Sequence, residues 1–271
     1  MRSNLSQSLK KSVVIKSSES LNQFQAVLNG VADWWLFLIR FFKELFHFPF
    51  EFNEFIRQGY KIGNKSLGLV TITGFIMGLV LTIQSRPTLA DFGAESWLPG
   101  MVAISIVREI GPVITALICA GKVGSGIGAE LGSMRVTEQI DAMEVSGTHP
   151  FRFLVVTRIL ATSIIVPILV FYSDFIGIIG SYVGANIDGD VTLQLFLMQA
   201  TSALEFSDLI PATIKSVFFG LVIGLAGCYK GYNANKGTES VGVAANEAVV
   251  AASLLVFLVD VIAVQFTNII L

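Results

Sequence analysis

The chain has 271 residues, of which 53% are hydrophobic and 14% charged, and its mean hydropathy is +0.71. A water-soluble domain carries about 25% charged residues, so the composition argues against a soluble globular enzyme and for the bilayer as solvent. Net charge is −2, from 18 Lys+Arg against 20 Asp+Glu, which leaves no cationic excess for DNA or RNA. The two cysteines, Cys119 and Cys228, lie in apolar runs and read as small buried hydrophobes, neither a disulfide nor a metal site.

Taken in chain order, residues 1–29 are polar and rich in Ser and Lys, with no apolar core close behind the basic residues. They read as a mobile cytoplasmic tail, not a cleavable signal peptide. Residues 30–55 are dense in aromatics (Trp34, Trp35, Phe37, Phe41, Phe42) but are interrupted by Arg40, Lys43 and Glu44. That pattern suits an interfacial helix in the headgroup plane, with a sixth span as the alternative. Five runs, at 67–84, 98–120, 159–185, 209–229 and 248–271, approach the roughly 20 apolar residues that cross a bilayer. The first run is short, and Met77, Leu81, Gln84 and Thr88 keep one helical face in register beyond it. The expected fold is therefore all-α and polytopic: five transmembrane helices behind an amphipathic helix, within one domain over 30–271.

Basic residues fix the expected orientation. Segment 1–66 holds nine Lys/Arg, loop 121–158 four and loop 230–246 two, whereas the opposite side has Arg86 alone. The positive-inside rule places the N-terminus and both loops in the cytoplasm and the C-terminus outside.

No chemistry-bearing motif supports an enzyme. The glycine-rich run 121–128 lacks GxxxxGK[ST] and follows an apolar run where a P-loop follows a strand; GxSxG and HExxH do not occur, and His47 and His149 are too few for a metal site. Glycines at four-residue spacing (74/78, 124/128/132, 180/184, 220/224) predict closely packed helices and a homo-oligomer. Arg108, Glu109, Asp174, Lys215 and Asp260 fall inside apolar runs, where ionisable groups are costly. Mutual neutralisation, Glu109 with Lys215 or Arg108 with Asp260, and a polar lining for a substrate or proton route are both open; a simple Glu109–Lys215 pair would tolerate a charge swap. In the long basic loop, Val136, Ile140 and Met143 share one helical face opposite Glu138 and Asp141, with Gly147 as stop. A short cytoplasmic helix over 136–146 suits docking of a soluble partner, or else rests on its own bundle.

The block Ile106–Arg158 carries REIGPV at 108–113, AGKVGS at 120–125, AELGSMRVTEQIDAME at 129–144 and HP at 149–150. It closely resembles the signature of the MlaE/YrbE-type permeases, with weaker similarity over Phe55–Gln84 and Ile214–Tyr232. Those permeases are inner-membrane subunits of ABC transporters that move phospholipid with MCE-domain proteins. The resemblance implies a homodimer of five-span subunits, with ATP and Mg held by a separate cytoplasmic ATPase and no cofactor in this chain. Thr137, Glu138, Ile140, Asp141, Met143 and Glu144 would form the ATPase-coupling helix. Leu81, Gln84, Leu89 and Phe92 would line a lipid cavity at the dimer axis, with Arg108 and Glu109 beneath, open toward an MCE-domain partner outside. Arg86-Pro87 departs from the pattern and puts the course of that lining helix in question. The absence of an Arg-rich transit peptide favours a bacterial membrane. Rival readings are an ion-coupled secondary transporter using Glu109, Lys215 and Asp260 as a relay, and a passive envelope scaffold.

Overall fold

A computed structural model describes residues 30–46, 51–187, 189, 191–235 and 237–270. The tail 1–29 and His47 lie outside the described residues. Helix α1 covers residues 30–45; at 1.5 Å per residue it extends roughly 24 Å, short of a membrane crossing. The expected single helix over 30–55 is corrected: Phe52 and Phe55 belong to the first turn of the next element, α2 (Phe52–Asp91).

The remaining elements are helical throughout the described residues. They are α3 (Leu98–Ser105), α4 (Gly111–Cys119), α5 (Ser125–Val136), α6 (Gln139–Val145), α7 (Thr157–Ala185), α8 (Leu193–Ala203), α9 (Phe206–Tyr232) and α10 (Glu239–Ile270). Five stretches are long and apolar enough to cross a membrane: Phe52–Asp91, Glu95–Val136, Phe151–Ala185, Phe206–Tyr232 and Glu239–Thr267. All five predicted spans are present, each longer than its apolar run because the helical hydrogen-bond ladder continues into the polar flanks. In α2 it continues through Arg86 and Pro87 to Asp91. The Arg86 guanidinium donates to the Ala185 carbonyl at 3.3 Å, tying that extension to the end of α7.

The second span is a single rod made of α3, α4 and α5 joined by two π-turns, Ile106–Ile110 and Ala120–Gly124. Pro112 explains the first. It has no N–H for the carbonyl four residues back, so the ladder reopens one residue wider, and the backbone absorbs the change without a break. The consequence is that Arg108 and Glu109 sit on a bulge. The third span begins in the same way, with a π-turn over Phe151–Val156 ahead of α7.

Helix α7 is the core of the bundle: 72% of its apolar window is buried, against 28% for α2 and 11% for α10. Glycine sets how closely its neighbours approach. A Cβ added at Gly78 would lie 1.8 Å from the Gly177 carbonyl oxygen, and one at Gly180 would lie 2.1 Å from that of Phe75. On the other flank of α7, a Cβ at Gly220 would lie 2.4 Å from the Thr162 carbonyl oxygen. The predicted close-packed faces at 74/78, 180/184 and 220/224 are therefore real, whereas Gly124 and Gly132 make only ordinary contacts; all are used between helices of one chain and lend no support to a second copy. Thr82 and Ser181, both buried, meet at 2.9 Å across the α2–α7 seam, the Ser181 hydroxyl oxygen accepting.

Helix α8 was not anticipated. It is capped by Thr192, whose hydroxyl accepts from the Leu195 N–H at 3.4 Å, and it buries Phe196 and Ala200 against Ala103 and Ala185. At the other end of the bundle, α5 stops at Val136, and Glu138 takes a left-handed conformation (φ 58°) that starts α6. Gly147, at φ +79°, ends the turn after α6, as its predicted role as a stop requires.

Candidate functional site

The buried charges converge on the α9–α10 interface. Lys215 is 4% exposed and donates to Glu109 Oε2 at 2.6 Å and to Asp260 Oδ1 at 3.1 Å. Three helices that are remote in sequence thus meet at one ammonium group. Removing such a cation from water costs several kcal/mol, which two charge-assisted hydrogen bonds at these lengths offset. Glu109 reaches Lys215 because the π-turn at 106–110 rotates it toward α9.

Arg108 does not pair with Asp260, the partner suggested by sequence. Its Nη1 lies 3.7 Å from Asp208 Oδ1, while Asp208 Oδ2 accepts the Glu205 backbone N–H at 3.2 Å at the start of α9. Asp260 accepts instead from Lys215 at 3.1 Å. Asp208 escaped the sequence reading because it stands just outside the apolar run at 209–229. Its spacing of seven from Lys215, two helical turns on one face, was the available signal. Asp174 is also buried, with Oδ1 unpartnered among the described groups. It packs against Gly111, where an added Cβ would lie 1.8 Å from that oxygen.

Above this cluster, a groove of about 570 Å³ runs between α9 and α10. Its walls are Ile210, Ile214, Phe218, Val259, Ile262 and Phe266, and Lys215 lies at its base. A smaller adjoining cleft contains Arg108, Glu109, Asp208 and Lys215. The result is a long apolar surface ending in a set of opposite charges.

The six predicted lining residues do not form one cavity within the chain. Leu81 and Leu89 pack, partly buried, against Leu98, Val102 and Ile106. Gln84 is exposed and Phe92 is 81% exposed. Arg108 and Glu109 alone reach a cleft, and they share it with Lys215 and not with Leu81. The groove residues on α9 and α10 were missed because an apolar residue in an apolar span carries no local mark of facing a cavity.

The predicted loop helix is present as α6, one turn shorter than expected at its start. Ile140 is 1% exposed and belongs to the chain's own interior, so it is withdrawn from the partner-facing set. Met143 is half-buried on the same side. Thr137, Glu138, Asp141 and Glu144 are exposed, and Asp141 accepts from Arg135 at 2.5 Å. Both cysteines are buried and unbridged, as expected. Among the described residues, no group of His, Cys, Asp and Glu could hold a metal ion.

Five apolar helices, charges gathered against one of them and an acidic turn at the loop end define a multi-pass membrane protein of the permease class. Residues 55–266 match the family model of Permease MlaE, and the chain belongs to that family. A probable ABC transporter permease protein of Rickettsia prowazekii is 40% identical over 210 residues, covering 78% of this chain and 81% of its own. One from a Synechocystis strain is 34% identical over 203 residues, covering 75% and 77%. The intermembrane phospholipid transport system permease protein MlaE of Haemophilus influenzae is 35% identical over 217 residues, covering 80% and 82%.

Proposed function

We propose that this chain is the membrane subunit of an ATP-driven transporter that moves a phospholipid or similar amphipathic lipid between bacterial membranes. It acts as a homodimer in the inner membrane, with a separate cytoplasmic ATPase and an MCE-domain protein on the outer side. The chain itself makes and breaks no bonds. The observation that carries this reading is the α9–α10 groove: apolar walls offer burial to acyl chains, and the Arg108/Glu109/Asp208/Lys215 cleft offers hydrogen bonds to a headgroup. A sugar or a bare ion would leave those walls unused. In the homodimer, Gln84 and Phe92 are exposed positions that a second copy would cover. On the cytoplasmic side, Glu138, Asp141 and Glu144 present an acidic edge to the ATPase. Cycles of ATP binding would switch the dimer between states of different lipid affinity.

The test is native mass spectrometry of the purified chain with its ATPase, together with ATP-dependent lipid transfer between vesicles. Phe218→Asp introduces a charge into the apolar wall, and the expected result is loss of bound phospholipid and of transfer with the complex intact. Unchanged phospholipid occupancy in Phe218→Asp would remove the groove from the pathway. The Glu109–Lys215–Asp260 chain also suits an ion-coupled carrier; lipid movement driven by a pH gradient with no ATPase present would establish that second reading.

A further inference from the structure

A second cleft lies at the opposite end of the bundle from Asp208, where α2 enters the membrane beside the π-turn at 120–124 and the start of α5. It has a volume of about 110 Å³, and its charged lining is Lys61, Lys65 and Lys122 against one carboxylate, Glu130. Glu130 is fully committed: it accepts from Lys61 at 2.5 Å and from the buried guanidinium of Arg158 at 3.0 Å. Lys65 and Lys122 are exposed and have no ion pair among the described residues. Ser66, also in the wall, is fully buried, and its hydroxyl has no hydrogen-bond partner among the described residues. An unmade hydrogen bond at a buried hydroxyl costs about 1–3 kcal/mol, so this wall is short of an acceptor on one side and of an anion on the other.

We propose that the cleft is a resident site for the phosphate of an anionic phospholipid, drawn from the leaflet that borders this end of the bundle. A phosphate oxygen would accept from Ser66, and Lys65 and Lys122 would neutralise its charge. Depth favours a lipid source. Lys65 stands just before the apolar run at 67–84 and Lys122 just after that at 98–120, which is the headgroup level of two neighbouring spans. Above Lys65, spaced by helical turns on the same face of α2, lie Leu69, Ile72, Ile76, Val80 and Ile83, all exposed. That stripe gives acyl chains a track continuous with the phosphate site. Basic pockets at membrane-helix ends bind anionic headgroups by this combination of charge and depth. The site is separate from the α9–α10 groove and does not depend on what the permease carries.

The experiment uses the full-length chain purified in detergent, with dioleoyl phosphatidylglycerol, dioleoyl phosphatidylcholine or inorganic phosphate added in turn. Melting temperature and lipid retained in native mass spectrometry are read. One variant is Lys65→Gln with Lys122→Gln. Another is Gly126→Leu, which plugs the cleft from a position where an added Cβ meets nothing within 4 Å. Expected are stabilisation of the wild type by phosphatidylglycerol alone, about fivefold weaker retention for each lysine removed, and a comparable loss in Gly126→Leu with no change of charge. Phosphatidylglycerol retention equal to wild type in both variants would overturn the site. Equal stabilisation by inorganic phosphate would overturn the lipid assignment. Loss of phosphatidylglycerol in Phe218→Asp but in neither cleft variant would assign that lipid to the α9–α10 groove and also overturn the proposal.

Discussion

The α2–α7 seam and the α9–α10 groove are both places where two apolar helices lie side by side, yet they differ in what fills the space between them. In the seam, Gly78 and Gly180 bring backbone against backbone, leaving no room for a Cβ. In the groove, Ile214, Phe218, Ile262 and Phe266 stay about half exposed along an open apolar wall, and Lys215 reaches across to Asp260 at its base. In lipid, helix association comes from close packing and interhelical hydrogen bonds. The seam maximises the first. The groove relies on the second, a charged tie at its base, and leaves an apolar wall that the rest of the chain does not cover.

The largest effect that could break this comparison lies in the seam. Gly78→Leu drives a side chain into the Gly177 carbonyl, and we expect loss of monodisperse protein in fluorescence-detected size exclusion. Gly68→Leu, on the same helix with nothing within 4 Å of its added Cβ, should elute as wild type. Similar profiles for the two would mean that the seam is not close-packed.

Next is the tie at the base of the groove. Lys215→Met leaves Glu109 and Asp260 facing each other without the cation. Because those carboxylates are 42% and 19% exposed and can hydrate, the destabilisation should fall at or below the about 3–5 kcal/mol of a fully buried broken pair. A fall in melting temperature of the purified protein measures it. The exchange Glu109→Lys with Lys215→Glu, which would restore an isolated pair, places the new carboxylate against Asp260 and should not recover the loss. Full recovery would show that Asp260 is not a partner.

Glu109→Gln is milder, since Lys215 keeps Asp260 and the amide oxygen still accepts. A cost of about 1 kcal/mol is expected, together with reduced lipid transfer if the cleft receives the headgroup. Equal melting temperature and equal transfer would leave Glu109 as a tolerated polar group.

The smallest effect on stability is predicted for reversal of Glu138 and Asp141 to Lys. Both are exposed, and the Arg135–Asp141 pair is of the surface kind worth about 0–1 kcal/mol. Folding should be nearly unchanged while ATPase capture in a pull-down falls. Normal capture would remove this edge from the coupling surface.

Much of the architecture was legible because bilayer thickness and backbone satisfaction leave few choices. An apolar run of about 20 residues must be a helix, so the five spans, the loop helix ended by Gly147 and the close-packing glycines followed from spacing alone. The family resemblance carried by Ile106–Arg158 was equally a property of the sequence. Tertiary structure decided which faces meet. Whether Gly78 packs within the chain or against a second copy, and whether Arg108 pairs with Asp260 or Asp208, depends on helix rotation, which an all-apolar helix does not encode in any period. The π-turn at Ile106–Ile110 widens the ladder around Glu109 itself, so Glu109 meets Lys215 in a register that an ideal helix does not have. The sequence determined how many helices cross; the tertiary structure decided where each helix stops, that Lys215 would face two carboxylates, that Ile140 would turn inward, and that a groove would open between α9 and α10.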